Sequence, residues 1–327
     1  MQTLSEAASY TLQFINQTQR SVFLTGKAGT GKTTLLREII QTTHKNTVVV
    51  APTGIAALNA GGVTIHSMFQ LPFGGFIPSF NVESQFSETV KFESKDTLRR
   101  HFKMSGLKKS VIRNMELLII DEVSMLRADL LDAMDYMMQT VRKKATPFGG
   151  VQVLYIGDLL QLPPVIRDEE WRTLKNYYKG KFFFHSHVVQ QNPPLYIELS
   201  KIFRQTDDKF IAVLNNLRNN QISKEDVEVL NEYVKPDFDL KANKGYITLT
   251  THNAKADAMN AQALEDLEGK LTSYKPDIVG DFPEKIFPVD EYLQLKIGAQ
   301  VMFVKNDLSA DKHYFNGKMG VIKTLSS

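Results

Sequence analysis

The segment from Gly26 to Thr33 combines the residue types that bind phosphate groups. It reads GKAGTGKT, which matches the pattern G-x-x-x-x-G-K-[ST], and it lies between a short apolar run and a helix-like stretch. Glycines let backbone N–H groups turn toward phosphate oxygens, and the following helix start adds its positive dipole end. We expect the Lys32 ammonium to reach the β and γ phosphates of a nucleotide and the Thr33 hydroxyl to bind Mg²⁺. The residues expected to hold the nucleotide are Gly26, Ala28, Gly29, Thr30, Gly31, Lys32, Thr33 and Thr34.

Two adjacent acids follow an apolar run further along the chain. Leu117 to Ile120 has the composition of a buried strand, and Asp121 and Glu122 come directly after it. At the carboxyl end of a strand beside the phosphate loop, Asp121 can hold Mg²⁺ while Glu122 polarises the attacking water. In isolation such a pair is as often a solvated strand end, but the phosphate loop favours catalysis. Gln161, which follows another apolar run, is a candidate sensor of the γ-phosphate.

Apolar runs and helix-like segments alternate around these residues. Strands are expected at Val22 to Leu24, Thr47 to Val50, Leu117 to Ile120 and Val151 to Ile156, separated by helices such as Arg127 to Val141. Strands that are apolar on both faces and alternate with helices indicate a parallel sheet covered on both sides. A second α/β unit is expected after about Arg204, with helices at 209–219, 224–233 and 253–264, a strand at 246–249 and a strand-like tail from Tyr292.

The stretch from residue 65 to 113 interrupts this alternation. Residues 65–90 carry five Phe and no Lys or Arg, whereas residues 91–113 hold eight Lys or Arg against two acids. We interpret this stretch as an inserted subdomain.

The composition limits the function classes. The chain has 327 residues with 43% hydrophobic residues, enough for a sizeable core, and its formal charge of +3 is too small to indicate a polyanionic partner alone. The absence of cysteine excludes disulfides and cysteine-ligated zinc. His185 and His187 could share one face of a strand, but no third ligand stands nearby and 182–184 has the pattern of a buried strand, so a metal site is not expected. Without a signal-like start or an apolar run of membrane length, we expect no membrane partner and a cytoplasmic protein.

Together with the phosphate loop, four segments resemble the superfamily 1B helicases of the PIF-one and RecD type. They are APTGIAALNAGGVTIHSMF at Ala51 to Phe69, LLIIDEVSML at Leu117 to Leu126, GDLLQLPPV at Gly157 to Val165 and LSKIFRQTD at Leu199 to Asp207. The stretch from Gly298 to Val321 resembles the same group. The resemblance implies an ATP-dependent DNA helicase that moves 5′ to 3′ along single strands, with ATP and Mg²⁺ as ligands, single-stranded DNA and duplex junctions as partners, and a monomeric state.

The same resemblance assigns roles to residues outside the phosphate loop. Arg204 would be an arginine finger that stabilises γ-phosphate charge. The residues implied in nucleic-acid binding are Thr53, Gly54, His66, Ser67, Phe69, Asn316 and Gly317. Taken alone, Thr53 would be a helix cap and His66 a structural histidine. The insertion would be a wedge whose Phe side chains meet bases and whose Lys and Arg meet phosphates, although a hydrophobic minicore with a solvated basic helix fits the pattern equally well.

Two features depart from the family pattern. Members commonly carry an adenine-contacting Gln about seventeen residues before the first glycine of the phosphate loop, where this chain has Ala7 to Tyr10; Gln2 or Gln13 could take its place. The family's later segments, T-x-H-K-x-Q-G and V-A-L-S-R, do not occur here, so we expect a chain truncated at its C-terminus.

These observations predict an α/β fold of the P-loop NTPase class with two RecA-like domains, the second incomplete. Residues 1–64 and 114–203 would form domain 1A, residues 65–113 the inserted wedge subdomain 1B, and residues 204–327 a partial domain 2A. Three alternatives remain open. A nucleotide-dependent binding module would fail to displace a strand, and an RNA helicase is possible because nothing here reads the 2′-hydroxyl. A small-molecule kinase would leave Gln161 and Arg204 without a role.

Overall fold

The computed structural model describes residues 5–72, 74–80, 91–100, 102, 104–201, 207–239, 243, 246–277, 289–304, 307, 313–314 and 317–326. The chain divides into two compact units, residues 1–226 and residues 227–327. The first unit therefore extends past the domain boundary predicted at residue 204, because it includes the helix at Asp208–Arg218.

The first unit is built on a six-stranded sheet whose paired strands all run parallel. The strands of this unit are β1 (Val22–Gly26), β2 (Thr47–Ala51), β3 (Val63–Thr64), β4 (Gly75–Phe76), β5 (Phe92–Glu93), β6 (Leu117–Ile120), β7 (Gln152–Ile156) and β8 (Leu195–Leu199). The large sheet has the order β3-β2-β6-β7-β1-β8, and β4 pairs with β5 separately. The predicted parallel sheet is confirmed.

Helices connect these strands. They are α1 (Glu6–Gln17), α2 (Lys32–Thr42), α3 (Gly54–Asn59), α4 (Ile65–Phe69), α5 (Lys95–Arg100), α6 (Gly106–Asn114), α7 (Ala128–Arg142), α8 (Asp168–Leu174), α9 (His187–Gln191), α10 (Asp208–Arg218) and α11 (Lys224–Asn231), which crosses into the second unit. The buried strand predicted at 182–184 is wrong: Phe183–His185 form a short 3₁₀ helix that places the Phe183 ring in the core. None of the helices in the described part of the chain is long and apolar enough to span a membrane.

The sheet has a hydrophobic core on each face, and strand β6 shows why. Leu117 and Ile119 pack in the cluster that contains α1 and α2, whereas Leu118 and Ile120 pack in the cluster that contains α7. All four side chains are fully buried. Because successive residues of a strand point to opposite faces, an unbroken apolar run is what a strand needs when helices cover both faces.

The described part of the insertion contributes aromatic rings to the core. Phe69, Phe76 and Phe92 are buried, and only Phe80 among its described phenylalanines is largely exposed, at 52%. Phe69 at the end of α4 has no exposed surface, so its predicted contact with nucleic acid is wrong: the ring packs with Val50 and Ile65 in the cluster under α7. Phe102 is partly buried against the same core, and Phe73 and Phe86 lie outside the described residues.

The second unit contains α12 (Asn253–Asp266) and two antiparallel strand pairs. Strand β9 (Thr272–Tyr274) pairs with β10 (Leu293–Leu295), and β11 (Gln300–Met302) pairs with β12 (Met319–Val321). The strand predicted at 246–249 is not formed. Tyr246, Ile247 and Leu249 are between 67% and 87% exposed, and no described strand pairs with them, so their backbone lacks the partner that a strand requires.

Candidate nucleotide site and nucleic-acid-binding edge

The phosphate loop joins the end of β1 to the start of α2. Gly31 has φ 87°, which places it in the left-handed region at the helix cap. Gly26 has φ 154°, and a Cβ there would lie 2.6 Å from both the Leu199 carbonyl oxygen and Thr30 Oγ1. Both positions therefore require glycine, because one needs a left-handed backbone and the other admits no side chain.

Lys32 lies inside the curve of this loop. Its Nζ donates hydrogen bonds to the carbonyl oxygens of Gly26 at 2.6 Å and Lys27 at 3.0 Å. Burial lowers the pKa of the Lys32 ammonium, and the nearby charges of Asp158, Glu122 and Asp121 offset part of that effect. A partly buried ammonium held by neutral carbonyl acceptors is suited to exchange them for phosphate oxygens.

The predicted acid pair lies at the carboxyl end of β6. Burial is the largest influence on Asp121 and raises its pKa to about 6, against a hydrogen bond from the Glu122 N–H, 2.9 Å from Asp121 Oδ1. Glu122 has φ 51° and ψ 42°, in the left-handed region, just before a 3₁₀ helix at Val123–Met125. This conformation costs of order 1–3 kcal/mol in a residue that is not glycine, and such strain is concentrated at functional sites.

Gln161 lies across the cleft from the phosphate loop, after β7. Its side chain is exposed, and its Nε2 donates to Asp158 Oδ2 at 3.2 Å. A cleft of about 320 Å³ is lined by Ala28, Gly29, Gly31, Lys32, Thr33, Thr34, Glu122 and Gln161. Strands β6, β7 and β1 are consecutive in the sheet, so their carboxyl ends meet at this cleft. The structure thus brings together most of the predicted nucleotide residues, while Gly26, Thr30 and Asp121 lie next to the lining. Arg204 lies outside the described residues.

Three further residues at this site were not predicted from the sequence. Asp158 is buried directly beyond β7, and Arg218 Nη1 donates to its Oδ2 at 2.6 Å. Burial acts to raise the pKa of Asp158, but the hydrogen bonds from Arg218, the Leu160 N–H and Gln161 outweigh it, and the pKa lies below its ordinary value. Asn215 of α10 accepts a hydrogen bond from Lys27 Nζ at 2.6 Å.

A signal existed for only one of these residues. Asp158 follows a buried strand after one intervening residue, much as Asp121 follows β6, and could have been noticed. Asn215 and Arg218 reach the site through a contact with residues some 60 to 190 positions away in the chain, which spacing alone does not reveal.

The residues predicted to bind nucleic acid at the first unit lie beyond β2 and β3. These strands are parallel neighbours, with Val50 beside Val63 and Ala51 beside Thr64, so α3 and α4 begin at the same edge of the sheet. Thr53 caps α3, and its Oγ1 accepts the Ala56 N–H at 3.2 Å. Gly54 is the first residue of that helix.

The second part of this edge is formed by α4 and a lysine of the insertion. Ser67 is exposed, and its carbonyl oxygen accepts a hydrogen bond from Lys108 Nζ at 2.5 Å. Burial and, to a lesser extent, the charge of Arg127 lower the pKa of His66. Both effects favour the neutral imidazole, which suits hydrogen bonding or stacking better than charge pairing.

The remaining predicted residues lie in the second unit. Gly317 has φ 93° and donates its N–H to the Phe303 carbonyl oxygen at 2.7 Å, in the turn before β12. Asn316 lies outside the described residues. His187 has a ring nitrogen 2.9 Å from the Tyr177 carbonyl oxygen, and the described residues contain no group of three or more His, Cys, Asp or Glu that could hold a metal ion.

Comparison with known proteins places this site in a family. A sequence profile of the PIF1-like helicases matches residues 8–228. The ATP-dependent DNA helicase PIF1 of Homo sapiens is 32% identical over 328 residues, which cover 98% of this chain and 46% of the human protein. This chain thus spans less than half the length of that relative.

Solved structures agree with the sequence match. The crystal structure of Bacteroides Pif1 bound to ssDNA is 40% identical, with a TM-score of 0.82, and the match covers 100% of this chain and 70% of that one. A Bacteroides Pif1 structure in complex with ADP-AlF3 and ssDNA is 39% identical with a TM-score of 0.82, covering 100% of this chain and 71% of the other. The predicted α/β fold and the resemblance stated from the motifs are both confirmed, and the chain belongs to the PIF1-like helicase family.

Proposed function

We propose that this chain binds ATP with Mg²⁺ and couples its hydrolysis to 5′ to 3′ movement along single-stranded DNA and to duplex unwinding. The observation that carries the proposal is the single cleft that brings Lys32, Glu122 and Gln161 together at the carboxyl ends of β1, β6 and β7. The Bacteroides relative that matches this fold was crystallised with ADP-AlF3 and ssDNA.

The residues present fit a magnesium ion that is bound together with a nucleotide. Thr33 lines the cleft, and Asp121 lies at the end of the adjoining β6, where burial raises its pKa more than the charge of Lys32 lowers it. Mg²⁺ at phosphate sites takes one or two protein ligands and completes its shell with phosphate oxygens and water, so a cage of three acids is not needed. When bound, the ion would neutralise charge on the phosphates.

The protein side chains would divide the chemistry among them. Lys32 exchanges its carbonyl partners for phosphate oxygens and stabilises the negative charge that they carry. Glu122 orients the attacking water and accepts its proton. Gln161 exchanges Asp158 for an oxygen of the γ-phosphate, and Arg204 would add charge stabilisation as an arginine finger.

The edge beyond β2 and β3 is the proposed path of the DNA strand. The Thr53 hydroxyl keeps its proton for donation while its oxygen caps α3, so it can serve a DNA phosphate together with the Gly54 N–H. His66 and Ser67 would contact the strand next along the same edge, and Asn316 and Gly317 would do so on the second domain.

The insertion is proposed to act as the wedge, through a smaller aromatic surface than its composition indicated. The rings of Phe80 and Tyr136 meet edge to face, with their centroids 6.3 Å apart. The Lys95 ammonium lies 5.1 Å from the centroid of the Phe80 ring. Since Phe69, Phe76 and Phe92 are in the core and Phe102 is partly buried against it, Phe80 is the most exposed of the described phenylalanines of this insertion, and a base could stack against it.

The test compares Lys32→Ala with Lys175→Ala, which removes an exposed lysine of the same unit that is outside the site. We expect Lys32→Ala to abolish nucleotide binding or hydrolysis, and Lys175→Ala to leave both unchanged. ATP turnover is measured alone, with single-stranded DNA and with single-stranded RNA, and strand displacement is measured on duplexes with a 5′ or a 3′ tail.

Each alternative gives a different result in this test. DNA stimulation with displacement from the 5′ tail supports the proposal, whereas stimulation by RNA alone indicates an RNA helicase. Nucleotide-dependent DNA binding without displacement indicates a binding module. Phosphate transfer to a small acceptor, without stimulation by either nucleic acid, would contradict the proposal.

A further inference from the structure

Asp158 lies where the phosphate site meets helix α10. Its Oδ2 accepts hydrogen bonds from Gln161 Nε2 at 3.2 Å and Arg218 Nη1 at 2.6 Å, and its Oδ1 accepts the Leu160 N–H at 3.1 Å. The Asp158 side chain is 1% exposed and the Arg218 side chain 21% exposed. A carboxylate buried to this extent requires a compensating cation, and Arg218 supplies it at salt-bridge distance.

The Asp158–Arg218 pair lies next to the cleft in which the γ-phosphate of a nucleotide is expected to bind. A second cleft, of about 350 Å³, lies between the phosphate loop and α10 and is lined by Asp158 and Arg218. It borders the phosphate cleft, because Ala28 and Gln161 line both. Gln161, the candidate γ-phosphate sensor, and Arg218 both donate hydrogen bonds to the same oxygen, Asp158 Oδ2.

We propose that Arg218 is a positioning residue that lets the site accept ATP, with its γ-phosphate, in preference to ADP. This inference rests on the proposed nucleotide binding at the phosphate loop. Arg218 offsets the negative charge of Asp158, so the buried carboxylate repels the γ-phosphate less. Arg218 also satisfies Asp158 Oδ2, so the Gln161 amide is free to turn toward the γ-phosphate. Without Arg218 the carboxylate loses its salt-bridge partner and keeps only the nearby Lys32 charge, which the phosphates also engage, so the nucleotide that carries a third phosphate meets the greater repulsion.

Helix α10 has other contacts that would hold it in place when Arg218 is changed. Asn215 accepts the hydrogen bond from Lys27 Nζ, and Val213 is buried at 2% exposure. The Asp207 side chain caps the start of the helix by accepting the N–H groups of Lys209 and Phe210. A variant at Arg218 therefore tests the charge and not the presence of the helix.

The experiment measures the affinity of fluorescent ADP and of a fluorescent non-hydrolysable ATP analogue, each with Mg²⁺ at pH 8. The variants are Arg218→Met, Arg218→Lys and the double variant Asp158→Asn/Arg218→Met, with Arg172→Met as the control for an exposed arginine of α8. We expect Arg218→Met to raise Kd about tenfold for the ATP analogue and by less than about threefold for ADP, since the added repulsion acts on the γ-phosphate. Arg218→Lys should retain most of the preference, and the double variant should restore the wild-type ratio of the two Kd values.

The outcomes separate this inference from the proposed function. Equal losses for the two nucleotides in Arg218→Met, or a double variant that does not restore the ratio, would overturn the role of Arg218 while leaving nucleotide binding intact. Failure of the wild-type protein to bind either nucleotide would overturn the proposed function and this inference with it. Unfolding followed by the fluorescence of Trp171, the single tryptophan of the chain, verifies that each variant is folded.

Discussion

Two groups of carboxylates lie within fifteen residues of each other in the chain but differ in how many hydrogen bonds they accept. Asp121 and Glu122, at the end of β6, border the phosphate cleft, and the described structure gives their side chains one hydrogen bond, from the Glu122 N–H to Asp121. Asp129, Asp132 and Asp135 lie on one face of α7, and the described structure gives each of them donors from at least two other residues or N–H groups.

The acids of α7 attach three separate segments to one helix. Asp129 accepts the Phe76 N–H at 2.9 Å and Asp135 accepts the Phe148 N–H at 2.6 Å. Asp132 accepts the N–H groups of His187 and Val188 at 2.9 and 3.0 Å, and thereby caps the start of α9. A carboxylate whose oxygens are occupied by backbone donors stabilises the fold, whereas one with open lone pairs is available to a ligand.

The largest effect on activity is expected when Glu122, the acid that lines the cleft, is changed to its amide. Glu122→Gln should lower ATP turnover about 10²- to 10⁴-fold, the range for loss of a general base, while nucleotide affinity stays within a few-fold of wild type. The urea midpoint followed by Trp171 fluorescence should not move, because the Glu122 side chain holds no other segment in the described structure. Turnover at the wild-type rate would remove Glu122 from the proposed chemistry.

The same type of substitution on α7 should have the opposite result. Asp132→Asn replaces one carboxylate oxygen with an NH₂ group that faces a backbone N–H, and the remaining hydrogen bond loses the help of the negative charge. We therefore expect the free energy of unfolding to fall by about 3 kcal/mol. Nucleotide affinity at low temperature should be retained. Glu38→Gln, on α2, is the matched control, since no hydrogen bond or ion pair of its carboxylate is described. If the Asp132 and Glu38 variants unfold at the same midpoint, the capping of α9 contributes nothing.

A smaller effect is expected in the pH dependence of stability. Burial raises the pKa of Asp135 to about 6, against hydrogen bonds from Phe148 N–H and Gln139. The folded state therefore binds this proton more tightly than the unfolded state, and stability falls as the pH rises from about 4 to about 6. Asp135→Asn should flatten this part of the curve by on the order of 3 kcal/mol, as the difference between its ordinary pKa and a folded-state pKa of about 6 implies.

The measurement for this last prediction is a series of urea unfolding curves between pH 4 and 8, for the variant and the wild type. Asp121, whose pKa is raised to about 6 by burial, contributes a similar slope to both proteins and cancels in the difference. Identical pH profiles would show that the pKa of Asp135 does not differ between the folded and unfolded states, which would contradict the prediction.

Sequence patterns predicted the first unit well because its signals are local and strong. The apolar run at Leu117 to Ile120 became β6 with the same bounds, and the phosphate loop lies between β1 and α2 as expected. The acids of α7 were missed, although their spacing of three residues places them on the same face of the helix as the buried Ala128 and Ala133. An acid on an apolar helix face is a signal that some other segment must bring donors to it.

Patterns failed where the outcome depends on a partner distant in the chain. Tyr246 to Leu249 has the composition of a strand, but a strand forms only when a neighbour supplies hydrogen bonds, and the described residues supply none. Phe69 was assigned to the DNA surface by resemblance, yet α4 turns its ring into the core. The Asp158–Arg218 pair joins residues 60 positions apart and has no counterpart in any local motif.

The left-handed backbone of Glu122 sets a limit on how this protein can be improved by selection. Glycine adopts that conformation without strain, so Glu122→Gly should add on the order of 1 kcal/mol to stability while removing the proposed catalytic carboxylate. A library selected only for expression or heat resistance would accumulate glycine at this position and become inactive as it became more robust. Directed evolution of this chain therefore needs a screen for turnover at every round.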